Sequence, residues 1–381
     1  MARYIITALL FISIGVKAQQ PISYASVDST TYTFYIKGDW EKLIRVGKDA
    51  ISKNIDFKWL RQRIGYAYFV KADYYAAQMQ YEKALTFDEI DPMTREYLYY
   101  CGLYTGDDAY ARFHGVKLTP EAKKRLGIEK FKPVDAVDME FNYKSNDSQL
   151  RSNPTYLRAG ISTKLGYRMK LYQSVSNYQQ TIDTAVTKQP EYFALVDWSL
   201  TSHISLDIAY HYLSTSYSGT KIPGNLVFAK LSTSISRFNL GLNGSFLSSS
   251  LGQVKQFGLF GGVTLPGKSN IYLNSSLTGM IETSSNRIIY SQIAGLRLTK
   301  MLWAEGSVIL GNLNNFNNYN ALYVYNSVDP TTFRTGLTLY WYLGKKTILF
   351  CNYTYDQKQI TNTTINYYNQ HSFSGGIIWK L

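Results

Sequence analysis

Over residues 134–381, apolar and polar residues alternate in blocks of about 11, with Gly, Asn, Ser or Pro between the blocks. This period-2 pattern predicts strands with one face toward lipid and one toward water. In the last block Phe373, Gly375, Ile377, Trp379 and Leu381 fall on one face, and Ser372, Ser374, Gly376 and Lys380 on the other. Ile378 interrupts the polar face, so a single block says little. Many blocks repeating in register predict a transmembrane antiparallel β-barrel over 134–381.

The breaks between blocks give the barrel a direction. Short ones fall at 166–168, 201–203, 236–237, 266–268, 299–301 and 344–346. Longer ones fall at 145–154, 181–190, 216–224, 248–253, 282–287, 312–331 and 360–370. Barrels of this class put short turns on the periplasmic side, longer loops outside, and use an even number of strands. Residues 321–328 also alternate, but a further spanning strand would make the count odd. They are therefore assigned to the large outer loop, as a β-extension. The expected count is about 14 strands, with 16 as the alternative.

The first third follows another period. A shift of 34 places Asp39 on Asp73, Trp40 on Tyr74, Ala50 on Ala84 and Ala77 on Ala111, the spacing of a repeated helical hairpin. Residues 58–91 carry Gly65, Tyr68, Ala77, Tyr81 and Ala84, small residues where helix backbones approach and tyrosines that fill the gaps beside them. In the third copy Gly102 and Gly115 stand where large residues are expected, and residues 120–126 read as a capping helix ended by Gly127. This segment, 21–130, resembles about three tetratricopeptide repeats, an α-solenoid over about a quarter of the chain. The resemblance implies that the first helix of each unit lines a concave groove presenting Tyr32, Tyr35, Trp59, Gln62, Tyr66, Phe69, Glu96 and Tyr100. Such a surface suits a peptide or a sugar, and the same tyrosines also suit packing against the next repeat. The expected fold class is α+β multidomain: helical repeats, a linker at 131–133, then the barrel.

Composition sharpens the compartment. With 15% aromatic and 18% charged residues the chain is too polar for a helical membrane protein, yet fits a barrel that shows lipid every second residue. The one long apolar run, 4–16, follows Arg3 and leads to Val16-Lys17-Ala18, so residues 1–18 read as a secretory signal peptide. No cysteine near the cleavage site suggests a lipid anchor, and Cys101 and Cys351 form no disulfide framework. These features place the barrel in a bacterial outer membrane, in contact with its lipid, with the repeats in the periplasm. The net charge of +13 divides into +2 in the leader, +3 over 21–133 and +8 in the barrel. Without a concentrated basic stripe no nucleic-acid partner is expected; anionic lipid or an anionic solute fits better.

The inward parity of the strands collects Asp138, Glu140, Arg158, Lys164, Lys170, Asp197, Asp207, His211, Lys230, Arg297, Glu305 and Arg334. These form either a stiffening salt-bridge network or the lining of a solute path. Small inward groups around Gly241, Ser245, Gly258 and Gly262 leave room for water or solute. Ser205, Asp207 and His211 share a strand face, but residues two apart stand about 7 Å apart, beyond the hydrogen-bond reach that a nucleophile and its base need. No Cys/His cluster, phosphate loop or metal-ligand spacing is present. Neither an enzyme nor a cofactor or metal site is expected.

In architecture, repeats joined to a barrel resemble the exopolysaccharide secretins, which carry many more repeats, and the YaiO-like barrel proteins. The resemblance implies a channel or export component for a polysaccharide or other polar solute, with the repeats docking a periplasmic protein. The competing expectation is a non-conducting anchor or scaffold whose Asn- and Tyr-rich loop 312–331 faces outward as an adhesive element, or caps the pore.

Overall fold

The computed structural model describes residues 23–128, 133–148, 151–182, 184–265, 267, 269–282, 285–326, 329–360 and 366–381. The leader, most of the linker and positions 266 and 268 of one short turn lie outside the described residues.

Seven helices come first among the described residues: α1 (Tyr24–Lys37), α2 (Trp40–Ser52), α3 (Lys58–Val70), α4 (Tyr74–Leu85), α5 (Pro92–Thr105), α6 (Asp108–Val116) and α7 (Pro120–Leu126). The first six form three hairpins, and the period of 34 has a plain local cause. Asp39, Asp73 and Asp107 occupy the N-cap of the second helix in each hairpin, and each carboxylate accepts from a backbone N–H in the first turn. Gly38 and Gly106 end the preceding helices in the left-handed conformation that a non-glycine residue resists. Gly127 ends α7 in the same way.

Packing explains the glycines of the repeat. A Cβ on Gly65 would stand 3.0 Å from the Tyr81 ring, so the ring occupies the space a side chain would take. At Gly102 a Cβ would lie 2.7 Å from the Ala111 backbone nitrogen. The third hairpin is thus closely packed at this point: its glycine admits the facing backbone of α6 more closely than the expected large residue would.

The barrel follows, with β1 (Val134–Asn146), β2 (Thr155–Lys164), β3 (Met169–Ile182), β4 (Ala185–Ser199), β5 (Ile204–Tyr217), β6 (Thr220–Ile235), β7 (Phe238–Ser249), β8 (Gly252–Thr264), β9 (Tyr272–Glu282), β10 (Asn286–Arg297) and β11 (Leu302–Leu310). A two-residue pair, β12 (Asn317–Asn318) and β13 (Tyr323–Val324), interrupts it before β14 (Thr331–Leu343), β15 (Thr347–Ile360) and β16 (Asn366–Lys380). Fourteen strands pair antiparallel with their sequence neighbours, and β16 closes on β1. Closure removes every sheet edge, which a hydrocarbon environment requires. The outer face is apolar along each strand, as at Met139, Phe141, Leu242, Leu259, Leu277 and Leu337, all exposed. Trp198, Trp341 and Trp379 ring the short-turn end, and Tyr143, Tyr290 and Tyr353 stand toward the other, as aromatic girdles do at membrane interfaces.

Three of the longer breaks are shorter in the structure than the sequence pattern suggested. Strands run through most of 181–190, 216–224 and 248–253. Tyr217 pairs with Thr220 around Ser218 and Gly219, both at positive φ, a two-residue turn whose twist matches the flanking strands. With 14–16 residues, β3 to β6 exceed the 9–11 needed to cross a bilayer, so they project beyond it.

The close approach at Gly102 yields a prediction. Gly102→Ala gains about 1 kcal/mol of helix propensity but forces a backbone contact whose over-packing costs about 1–3 kcal/mol. Urea melts followed by the helical far-UV signal should show a lower midpoint than wild type, and a raised midpoint would refute this account of the third hairpin.

Candidate functional site

The lumen is occupied. The segment between β11 and β14 does not face outward as an adhesive element; it folds into the barrel. Leu313, Phe316 and Ala321 are buried against wall residues including Phe193, Leu226, Phe228, Met280 and Ile309. Burying Leu313 and Phe316 stabilises this position by about 1.5–3 kcal/mol each. Of 321–328, positions 327 and 328 lie outside the described residues; 321–326 contribute no spanning strand, as expected, but turn inward, where β12 and β13 form a small hairpin inside the wall.

Polar contacts fix the plug on all sides. His211 Nδ1–H donates to the Ala321 carbonyl at 2.7 Å, with Nε2 3.4 Å from Glu191. Asn320 donates to Asp207 at 3.0 Å and accepts from Lys230 at 3.2 Å. Gln256 and Ser245 bind Asn317, Glu140 accepts from Tyr323 at 2.6 Å, and Asn326 meets Gln189. At the plug's far end Arg151 pairs with Asp329 at 2.8 Å. Tyr319, Asn320 and Ala321 all have left-handed φ, 51°, 57° and 67°. Three consecutive non-glycine residues in that region store strain of order 1–3 kcal/mol each, held by the surrounding contacts.

The two halves of the wall differ. Toward β5–β11 the plug meets apolar side chains, among which His211, Asp207, Lys230, Ser245 and Gln256 hold it by hydrogen bonds. Toward β1–β4 and β14–β16 the wall is polar, and a cavity of 390 Å³ remains between it and the plug. Cross-strand register builds this wall: Ser374, Asn142, Tyr156, Tyr178 and Gln189 are successive partners around the barrel. One step lower, Arg158 pairs with both Glu140 at 2.9 Å and Asp138 at 2.8 Å, and bonds the Tyr172 hydroxyl.

All twelve charged or titratable residues expected to face inward share the inward parity, but most are engaged in pairs. Lys230 pairs with Asp207 at 2.7 Å, Arg334 with Asp356 at 3.1 Å, and Glu305 accepts from the Tyr272 hydroxyl. Lys164 pairs with Asp135. Arg297 also has an interaction within the chain. The wide space expected beside Gly241, Gly258 and Gly262 is taken by Phe260, Asn243 and Asn274, each within 3 Å of where a Cβ would stand.

Lys170 and Asp197 meet the helical domain instead. That domain packs on the short-turn end of the barrel. Asp108 of α6 pairs with Lys170 at 2.6 Å, and Arg112 of α6 with Asp197 at 2.6 Å. Arg237 of the β6–β7 turn pairs with Asp73 at 2.9 Å, and the Ser199 hydroxyl donates to the Ala109 carbonyl. His203, in the β4–β5 turn, stands 3.1 Å from Glu82, which also accepts from Tyr110 at 2.7 Å. Sequence reading missed this interface, because α6 and β4 lie some 85 positions apart.

In the expected groove, aromatic rings form one pile across the hairpins. Tyr35 meets Trp40 and Tyr66, Tyr66 meets Tyr97, and Phe69 meets Tyr97, Tyr100 and Tyr104 at centroid distances of 5.2–6.3 Å. Tyr32 and Trp59 are more than half exposed. Gln62 is not a groove residue: it is buried and donates to Asp91 and Thr94. Glu96 is tied to Tyr100 and Arg125.

Chemistry elsewhere is sparse. Burial pushes the His114 imidazole down to about 3, and it packs neutral against Tyr110 and Phe113. No cluster of three metal-ligating side chains occurs among the described residues.

Comparison with protein families finds no match, and comparison with curated proteins finds none either. Among solved structures the chain overlaps the Pseudomonas putida toluene transporter TodX at 5% identity and TM-score 0.43, covering 66% of this chain and 90% of that one. It overlaps Acinetobacter baumannii Omp33 at 9% identity and TM-score 0.36, covering 65% and 99%. A bacterial polysaccharide outer membrane secretin overlaps at 11% identity and TM-score 0.39, covering 66% and 100%. Likeness at these values concerns barrel shape in outline.

The interface carries a pH prediction. The hydrogen bond to Glu82 raises the His203 pKa above its usual value. Burial alone would raise Glu82, but hydrogen bonds from His203, Tyr110 and Gln78 hold it below the usual carboxylate range. His203 therefore contributes stability that is full below about pH 6.5 and is lost as pH rises through its raised pKa. Glu82 contributes stability present above about pH 4.3 and lost as pH falls through its lowered one. The melting-temperature difference between wild type and His203→Gln should peak between these limits and shrink on both sides; a difference independent of pH would sink the assignment.

Proposed function

We propose that the chain is a bacterial outer-membrane channel or export component for a polar solute, closed at rest by residues 312–326. The observation that carries this reading is the plug itself. It is gripped along β5–β11 by apolar side chains and hydrogen bonds, leaves a cavity beside the polar wall opposite, and holds Tyr319, Asn320 and Ala321 in a strained conformation. A wall of fourteen strands encloses more volume than its own side chains fill, and the plug occupies that surplus. A strained segment held by hydrogen bonds has a lower-energy backbone available once those bonds are exchanged for water or solute.

In this reading the short-turn end is periplasmic, and the helical hairpins act as a tetratricopeptide-like docking domain for a periplasmic protein. The exposed Tyr32 and Trp59 offer aromatic anchors of the kind that dominate interface energetics. A polysaccharide is one solute compatible with a lumen rich in tyrosine and amide groups.

A second reading, a non-conducting anchor for a periplasmic assembly, is favoured by the helical domain lying across the short-turn end through four ion pairs. Planar-bilayer recording distinguishes the two. The wild-type protein should be closed or flicker, and deletion of residues 315–326 should give sustained conductance at least about tenfold above it. A silent deletion variant that still inserts as a folded barrel refutes the channel and leaves the anchor.

A further inference from the structure

Among the charges lining the 390 Å³ cavity, Lys144 has no counterion in contact with it among the described residues. Arg158 is matched by Glu140, and Arg334 by Asp356. Lys144, on the inward face of β1, forms no side-chain hydrogen bond or ion pair with any described residue; its ammonium lies 5.6 Å from the centre of the Tyr178 ring. An ammonium held in a protein cavity without an anion is costly, and a ring face compensates only part of that cost. Three further polar atoms of the same lining residues have no hydrogen-bond partner among the described residues. They are Oδ1 of Asn142, the hydroxyl of Tyr156 and Oγ1 of Thr187, on residues about nine-tenths or more buried.

We infer that this cavity binds a solute bearing a carboxylate and hydroxyl groups. The carboxylate pairs with Lys144, hydroxyls meet the Asn142 carbonyl oxygen and the Thr187 hydroxyl, and the ring of Tyr178 supplies a flat apolar face. The cavity lies within the roughly 300–1,000 Å³ of small-molecule sites, and Lys144, Tyr178 and Thr187 stand in the half of the lumen nearer the long loops. Tyr323, Tyr325 and Asn326 of the plug complete its inner side, so the occupant touches the closing segment as well as the wall. The inference rests on the channel reading in taking the occupant to be a passing solute, and binding is therefore measured separately from conduction.

The test is calorimetric titration of the detergent-solubilised full chain with glucuronate, with glucose, and with acetate. Glucuronate should bind at least about tenfold more tightly than glucose, the effect of one charge-assisted contact. Lys144→Met should reduce glucuronate to the level of glucose without loss of the folded barrel's gel mobility, since it removes an unpaired cation. Thr187→Val should weaken glucuronate and leave acetate unchanged. Equal binding of glucose and glucuronate overturns the inference, as does full glucuronate affinity in Lys144→Met. No binding by a protein whose 315–326 deletion conducts overturns the site and leaves the channel. Binding without conduction by the deletion variant supports the site and removes the channel.

Discussion

The closure of β16 on β1 is the constraint from which the rest of the molecule follows. Strands that meet lipid on one side have no water there to satisfy a free edge, so the sheet must return to its first strand. Antiparallel closure with every strand beside its sequence neighbour demands an even number, which puts both ends of the barrel segment on the short-turn side. The helical domain, joined just before Val134, must then start there. Closure also fixes a lumen wider than the side chains of fourteen strands fill, a space left to water or to another part of the chain. Here the 312–326 segment lies in it.

How it does so is unequal around the wall. Leu313 and Phe316 bury apolar area against β5–β11, a non-directional attraction that tolerates small shifts. Asn317, Asn320, Ala321 and Asn326 make directional hydrogen bonds that set one position among many. The left-handed run at Tyr319–Ala321 is adopted only because both kinds of contact agree. A loop held by burial alone would relax it.

Much of this was legible in the sequence because lipid acts on alternate residues. Met139, Phe141, Leu157 and Phe373 lie on the exposed face as alternation required, the strand count came out at fourteen, and the 34-residue period reappears as three aspartate N-caps. What was not legible depends on long-range geometry. Nothing local to Ala321 says that His211, 110 positions away, will donate to its carbonyl. Turns were over-read where Ser and Gly cluster, since only Ser218 and Gly219 are needed to reverse the chain at the end of β5. Lys144 could have been found: it shares the parity of Asp138 and Glu140 in β1 but has no matching carboxylate, a deficit visible only once every other pair is known.

The lower lumen links the two domains by charge balance. Lys164, Lys170, Asp197, Asp207 and Lys230 are successive cross-strand partners, giving the order plus, plus, minus, minus, plus around the wall. Two like pairs side by side are unfavourable unless each is offset by outside charge. Asp135 and Asp108 serve the lysines, while Arg112 serves Asp197 and leaves Lys230 to Asp207. Helix α6 presents Asp108 and Arg112 one turn apart, so a single rigid element supplies both signs. Were α6 to withdraw, Asp197 would be left to Lys170, its cross-strand partner released by Asp108, and Asp207 to Lys230, which also donates to Asn320 of the plug. The plug's polar anchorage on this side thus adjoins the helical-domain interface through one row of neighbouring charges, Arg112 meeting Asp197 beside the Asp207, Lys230 and Asn320 cluster.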